Sequence, residues 1–230
     1  GQSKTGLFEI NMSSAMNETW RMSNYDDNHI GLSVNQPVWK DRNGSGPQID
    51  PDFYGKEFMT ADADRAGDLR KTYFFYDYDD NDWSFINKYS YSSQDPASED
   101  TYSQFSEANI LIFRLADMYL LRAEANAKLG NSGPAVNDLD MVRSKAGVPA
   151  YTGATDRTSM MEALFQERAI EFVGEGQAGF DRIRMDFYYE GVPWMNINRI
   201  QKKGYFWPVH PNIISVNPSI VQTEYWRGLL

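Results

Sequence analysis

The 230-residue sequence contains no cysteine, which excludes disulfide bonds, thiolate nucleophiles and cysteine-ligated zinc. It also has no apolar run approaching about 18 residues, so no segment is predicted to cross a membrane as a helix. Positive charge is scarce, with 22 basic against 32 acidic residues and a net charge of −10. Because nucleic acid and anionic lipid attract basic surfaces, neither is an expected partner of this chain.

Motifs of catalysis are missing as well. The two histidines, His29 and His210, are accompanied by no G-x-S-x-G elbow, and the sequence contains no G-x-x-x-x-G-K-[ST] phosphate-binding loop. A calcium loop at Asp77–Asp82 is disfavoured against a plain hairpin turn, because Asp82 replaces the required glycine and Lys88 the bidentate glutamate. A glycosidase needs two carboxylates across a sugar, and the sequence singles out no such pair. We therefore expect no catalytic residue, no metal and no cofactor.

Aromatic residues, by contrast, are abundant, with 6 Trp and 14 Tyr. Residues 11–51 show little periodicity but carry several aromatics, and a long loop of this composition is expected to be functional rather than disordered. We interpret residues 1–108 as a loop-rich ligand-binding region with short strands, and residues 109–230 as a helical region with an extended tail. Together they are expected to form one compact unit. Since the chain begins at Gly1 and shows no signal peptide, we expect a fragment of a longer chain.

Two strand features are predicted in the first region. The segment GLFEIN, with Leu7, Phe8 and Ile10, is typical of a short strand. Residues 71–78 and 83–91 read as the two strands of a hairpin around the acidic turn, with a short helix before them at residues 57–67.

Helical spacing dominates after residue 109. An apolar segment at residues 110–113 leads into a helix that ends at Gly130, and a second helix is predicted from Ser132, its cap, to Gly147. Small residues where the two helices meet favour the close crossing of a tetratricopeptide-type repeat. One repeat cannot bury its own face, so it needs neighbours. We expect these to be the segment Met161–Arg184 and, in a longer chain, repeats upstream.

The segment Met161–Arg184 is predicted to form a structural corner. A helix capped by Ser159 or Thr158 ends at Gly174 and Gly176, and a second short helix follows. Charged residues of both signs surround the break, and we interpret them as ion pairs that orient the corner rather than as catalytic groups. They are Glu167, Arg168, Glu171, Glu175, Asp181, Arg182 and Arg184.

This corner carries a resemblance to a known family. The pattern E-R-x-x-E-F-x-G-E-G followed by F-D-x-x-R resembles the C-terminal signature of the SusD/RagB family, although Gln177-Ala178-Gly179 departs from the family's usual His-Arg-aromatic. Weaker resemblances occur in the family's order at Asp68–Arg70, Lys88–Tyr89, Phe113–Met118, Ala123–Ala125, Val142–Arg143, Trp207–Val209 and Asn217–Gln222.

The resemblance implies a mainly α fold: a SusD-like tetratricopeptide-type helical core with long irregular loops and a small β-hairpin. It implies a surface lipoprotein of the outer membrane that binds a glycan or other nutrient and hands it to a SusC-like TonB-dependent transporter. It implies no catalysis, and contact with the membrane only through a lipid anchor upstream of this chain.

Glycan binding in the family uses aromatic side chains on loops. Because a sugar stacks its apolar face on Trp or Tyr and needs polar partners for its hydroxyls, the segment from Asn17 to Trp39 is the predicted site, with Trp83 in the hairpin as a second candidate. The predicted ligand-binding residues are Trp20, Arg21, Asn24, Tyr25, Asp26, Trp39 and Trp83. Burial of each tryptophan under the loops is the alternative interpretation. The alternative function is a helical-repeat module that binds proteins and no small ligand.

Overall fold

The structure is a computed structural model, and it describes residues 4–10, 20–22, 65, 67–76, 85–86, 92–94, 104–106, 110–188 and 195–229. The chain divides into two compact units, Gly1–Ala178 and Gly179–Leu230. The division at residue 108 made from the sequence stays a prediction. No helix in these ranges is both long enough and apolar enough to cross a membrane.

Three helices form the core of the first unit. They are α2 (Leu115–Lys128), α3 (Ser132–Lys145) and α4 (Arg157–Glu171), and each contacts the other two. Leu120, Ala123, Ala135, Leu139 and Leu164 lie fully buried where they meet. The alanines allow the close approach of helix axes that the sequence predicts. Gly130 and Gly147 end α2 and α3 in the left-handed conformation, with φ of 80° and 74°.

The helix caps differ from those predicted. Asp156, not Ser159 or Thr158, caps α4: its carboxylate accepts hydrogen bonds from the Thr158 and Ser159 amides at 3.0 and 3.1 Å. Asp156 reaches two donors from one carboxylate, which a hydroxyl does less well. Asn131 rather than Ser132 stands at the cap position of α3, and its side chain makes no capping hydrogen bond to the first turn of the helix.

A two-stranded antiparallel sheet precedes the core. Strand β1 (Gly6–Ile10) pairs with β7 (Ile110–Arg114), with register shifts next to Phe8. The predicted strand is therefore confirmed over Gly6–Ile10, and the apolar segment that leads into α2 forms its partner strand. The Leu115 amide donates to the Thr5 carbonyl at 2.9 Å, which continues the pairing to the first residue of α2.

The structure describes part of the predicted hairpin. Strands β3 (Phe75–Tyr76) and β4 (Phe85–Ile86) pair antiparallel. The residues just before β3 form the helix α1 (Arg70–Phe74) instead of a strand. The reason is local: the Asp68 carboxylate accepts a 3.0 Å hydrogen bond from the Arg70 amide, which starts a helical turn.

A three-stranded antiparallel sheet carries two of the predicted ligand-binding residues, Trp20 and Arg21. Its strand order is β2 (Trp20–Met22), β6 (Gln104–Ser106) and β5 (Ser92–Gln94), so β6 lies in the middle. Neither β2 nor β6 shows a register shift in their pairing. The sheet is the only described structure that holds any of those residues.

The second unit contains short helices and an extended tail. Helix α5 (Ala178–Arg184) leads into it, and α6 (Ile197–Gln201) and α7 (Pro211–Val216) follow. His210 caps α7, its Nδ1 accepting from the Asn212 amide at 3.2 Å, which gives this histidine a structural use. The Gln222 side chain bonds both the amide and the carbonyl of Val209, at 3.1 and 2.8 Å. The tail is thereby fixed to the segment before α7.

The architecture of the described residues is mainly helical with a small antiparallel hairpin, as predicted from the sequence.

Candidate functional site

A cluster of paired charges lies at the centre of the first unit. Its eight members, four arginines and four carboxylates joined by the contacts described below, are Arg65, Asp68, Arg70, Arg114, Arg143, Glu167, Glu171 and Glu175. We call this set the arginine–carboxylate cluster. Because its charges balance, its burial does not leave a net charge in a medium of low dielectric constant.

Glu167 and Arg70 are its best-connected members. Arg70 holds Asp68 with two parallel bonds of 2.9 and 2.7 Å, and its Nη1 donates to Glu167 at 2.7 Å and to Glu171 at 2.9 Å. Glu167 is fully buried and also accepts from Arg65 at 3.2 Å, with Arg143 Nη1 3.6 Å away. The planar guanidinium suits such forked contacts.

Arg114 joins the cluster to the start of α2. Its guanidinium contacts both Glu175 oxygens at 2.8 and 2.9 Å and the backbone carbonyl of Glu171 at 2.6 Å. It also lies 4.4 Å above the ring of Phe172. Burial works against the charged form of Arg114, but its hydrogen bond to Glu175 and the charges of Glu175 and Glu171 outweigh that effect and raise the pKa.

The pKa of Arg70 is raised in the same way. Burial opposes its charge most strongly, and the hydrogen bond to Asp68 together with the charges of Glu167, Asp68 and Glu171 overcomes it. Both arginines are therefore permanent cations that bind protein carboxylates. The cluster fastens α1, β7 and α4 to one another, which is the structural use predicted for the charges of the corner.

Two other charged residues of the corner have separate partners. Arg168 Nη1 lies 2.7 Å from Asp117 Oδ1 of α2, with both side chains buried. Arg184 pairs with Asp181 within its own short helix at 2.7 Å, and its side chain is 35% exposed. The sequence indicated the glutamates of the cluster as ion-pairing groups. Three of its arginines lie in motifs that resemble the family, at Asp68–Arg70, Phe113–Met118 and Val142–Arg143, whereas no motif indicated Arg65.

A groove of about 400 Å³ opens beside the cluster. Its walls come mainly from residues 69–74 with α1, residues 114–119 at the start of α2, and residues 141–146 at the end of α3, and Thr5 and Glu171 complete them. We call it the α1–α3 groove. Its volume falls in the range of small-ligand sites, and sequence reasoning missed it because its lining comes from three segments far apart in the chain.

The lining of the α1–α3 groove is mostly apolar. Leu69, Tyr73, Leu115 and Met141 are partly exposed there, and Tyr73 is 66% exposed. Lys145 adds an exposed cation. A surface of this kind offers aliphatic and aromatic contact but few hydrogen-bonding groups, so it suits an apolar side chain better than a sugar hydroxyl.

The structure places two of the predicted ligand-binding residues in the three-stranded sheet. Trp20 is aligned with Ser106 and Arg21 with Phe105, across β2 and β6. Asn24, Tyr25, Asp26, Trp39 and Trp83 lie outside the described residues, as does the acidic segment Asp77–Asp82. Within the described part of the chain, no group of three or more metal-ligating side chains is arranged to hold an ion.

The fold and the charge cluster together define a class of protein: a helical core of tetratricopeptide type whose corner is tied by arginine–carboxylate pairs. The family model described as the SusD family matches residues 73–226. The chain belongs to the SusD family.

Individual relatives agree with this assignment. SusD-like protein P38 of Formosa agariphila is 28% identical over 146 residues, which are 60% of this chain and 27% of that protein. SusD-like protein P25 of the same organism is 26% identical over 192 residues, 79% of this chain and 35% of that protein. A crystal structure of a SusD homolog from Bacteroides thetaiotaomicron has a TM-score of 0.77 at 26% identity, covering 99% of this chain and 48% of that one.

The chain is shorter than these relatives. It spans about a third or less of the two Formosa proteins and about half of the Bacteroides structure. The predicted SusD-like helical fold is confirmed by this structural similarity.

Proposed function

We propose that the protein binds a glycan or other nutrient at the cell surface without chemical conversion and delivers it to a SusC-like TonB-dependent transporter of the outer membrane. The observation that carries this proposal is membership of the SusD family over residues 73–226. The proposed location is the outer face of the outer membrane, through a lipid anchor on a longer form of the chain.

The described chemistry supports binding rather than turnover. The carboxylates of the arginine–carboxylate cluster are engaged by arginines that belong to the fold, for example Glu167 by Arg65 and Arg70. A glycosidase instead requires two carboxylates that face a sugar from opposite sides. The net charge of −10 favours a neutral glycan over an anionic one.

The proposed ligand contacts are the residues indicated by the sequence. Tryptophan and tyrosine offer flat faces to the C–H surface of a pyranose, and the polar residues offer partners to its hydroxyls. The set remains Trp20, Arg21, Asn24, Tyr25, Asp26, Trp39 and Trp83.

Affinity electrophoresis tests the proposal directly. Native gels containing amylopectin, laminarin, xyloglucan, galactomannan or alginate are compared with a gel without polysaccharide. Retardation of the wild-type protein by a neutral glycan is expected, and Trp20→Ala and Trp39→Ala should reduce it. Release of reducing ends by the protein would contradict the proposed absence of catalysis. If no glycan retards the protein even when the set is extended, glycan binding is contradicted.

A second candidate function is protein–protein interaction through the helical core, without a small ligand. The α1–α3 groove favours it, because its exposed Leu69, Tyr73 and Met141 suit an apolar segment of a polypeptide. The transporter is then the proposed occupant of the groove. A pull-down from outer membranes with wild-type protein and Met141→Glu, each with and without a retarding glycan, separates the two functions. Capture of the transporter that is lost in Met141→Glu and does not depend on the glycan favours the second function.

A further inference from the structure

We infer that one face of the three-stranded sheet is the sugar-binding platform, and that Ser92, Gln94, Gln104 and Ser106 are ligand contacts beside Trp20. The inference rests on the proposed glycan-binding function and narrows it to a surface. None of these four residues was singled out by the sequence, because they lie more than 70 positions after Trp20.

The register of the sheet brings these residues together. Trp20 stands opposite Ser106, which stands opposite Ser92 on its other side. Two positions further along, Met22, Gln104 and Gln94 form a second row. Directly opposed residues share a face of an antiparallel sheet, as do residues two apart in one strand. Both rows therefore belong to the same face.

The residues of this face fit a neutral sugar. It combines one indole with two amides and two hydroxyls, each of which both donates and accepts hydrogen bonds as a sugar hydroxyl does. None of its six positions carries a charge; they are Trp20, Met22, Ser92, Gln94, Gln104 and Ser106. Three strands with two rows span about 10 Å by 7 Å, enough to place a stacking ring and its hydrogen-bonding partners under one short saccharide.

The opposite face has a different composition. Arg21, Phe105 and Ser93 occupy the row between the two described above, and adjacent residues of a strand lie on opposite faces. The sheet thus separates Trp20 from Arg21, which the sequence had grouped as one site. Ser92 and Ser93 are neighbours of identical chemistry on the two faces, and they supply a matched pair for experiment.

The test measures dissociation constants by affinity electrophoresis against the neutral glycan that retards the wild-type protein most. Gln104→Ala, Gln94→Ala and Ser92→Ala should each weaken binding by about five-fold, the equivalent of one neutral hydrogen bond. Ser93→Ala should stay within two-fold of wild type. Melting curves of these four variants verify that they fold, and Trp20→Phe, which keeps an aromatic ring, should bind better than Trp20→Ala.

The outcomes separate the inference from the function on which it rests. Selective loss in Ser92→Ala but not Ser93→Ala supports the platform. Equal affinities for the two serine variants, with Gln104→Ala also at wild-type strength, overturn the platform while glycan binding stands. If the wild-type protein is retarded by no glycan, the proposed function itself fails, and the inference fails with it.

Discussion

The arginine–carboxylate cluster and the three-stranded sheet differ in how they use polar residues. In the cluster, polar atoms are buried and engaged with one another: Glu167 is fully buried and meets Arg65 and Arg70 at 3.2 and 2.7 Å. In the sheet, the face that includes Trp20 and Gln104 carries uncharged groups whose hydrogen-bonding capacity matches that of a sugar.

The difference separates polar residues that identify the family, as in the cluster, from polar residues that indicate the ligand, as in the sheet. The cluster joins residues about 100 positions apart, such as Arg70 and Glu167, so its loss would disturb the packing of the helices. A motif rich in charges can thus be structural throughout. The predictions below change one region and ask whether the other responds.

The largest expected effect is loss of stability in Glu167→Ala. Removing the carboxylate takes one buried partner away from each of Arg65, Arg70 and Arg143, which should lower the free energy of unfolding by about 3–5 kcal/mol. Chemical denaturation followed by circular dichroism measures it. The control is Glu224→Ala, whose 66% exposed side chain lies 3.8 Å from Lys202, and which should change stability by less than about 0.5 kcal/mol. Equal losses of stability in the two variants would show that the cluster does not hold the helices together.

The next effect concerns the sheet. Trp20→Ala should weaken glycan binding by at least about ten-fold, as expected when an aromatic anchor of a contact surface is removed, and should leave the melting temperature near wild type. Trp207→Ala is the matched control, since this tryptophan is 92% exposed in the second unit. Affinity electrophoresis and thermal melting on the same samples provide both readings. A Trp20→Ala protein that melts early but binds normally would indicate a buried structural tryptophan.

A smaller effect is expected from a glycine that positions the cluster. At Gly147, φ is +74°, and a Cβ would lie 3.1 Å from Leu69 Cγ and 3.2 Å from the Gly67 carbonyl oxygen. The Leu69 amide also donates to the Ala146 carbonyl at 2.8 Å, so this contact holds the segment that carries Asp68 and Arg70. Gly147→Ala should therefore destabilise the protein by about 2–3 kcal/mol.

Gly130→Ala is the control for that variant. Its φ is +80°, but nothing lies within 4 Å of the added carbon, so only the backbone strain of about 1 kcal/mol remains. Denaturation of both variants measures the difference. If Gly130→Ala is the more damaging of the two, the contact with the Leu69 segment is unimportant.

The smallest effect is expected from Arg184→Ala. The sequence groups Arg184 with the corner, and its guanidinium donates to the Asp181 carboxylate one turn earlier in α5 at 2.7 Å. A partly exposed pair of this kind contributes about 0.2–1 kcal/mol. A loss of several kcal/mol on denaturation would mean that Arg184 has a structural use comparable with that of Arg70.

Sequence periodicity predicted the helices well but their buried faces less well. In α2 the apolar Leu115 and Met118 are both partly exposed, while the charged Asp117 and Glu124 are buried. The inversion has a physical cause: Asp117 is paired with Arg168 and Glu124 with Lys128, at 2.7 and 2.8 Å. Ion pairing allows a charged residue to lie in the core, and a prediction based on the spacing of apolar residues does not detect this.

The candidate site was less predictable than the fold. The α1–α3 groove and the rows of the sheet both depend on strand register and on contacts between distant segments. Trp20 could be singled out from the sequence because a tryptophan in a polar segment suggests a stacking surface for a ligand. Gln104 could not, because nothing in the sequence distinguishes it from the other glutamines. Helix ends were predicted in part. Gly174 and Gly176 adopt positive φ as expected at a helix end, but the cap of α4 is Asp156 and not Ser159 or Thr158.

The central claim is that the arginine–carboxylate cluster maintains the fold and takes no part in ligand binding. Glu171→Ala tests it most directly, because Glu171 contacts both Arg70 and Arg114. The measurement is the dissociation constant of the folded fraction for the retarding glycan, together with the melting temperature. The account predicts a lowered melting temperature with wild-type affinity. Normal melting with lost binding would contradict it.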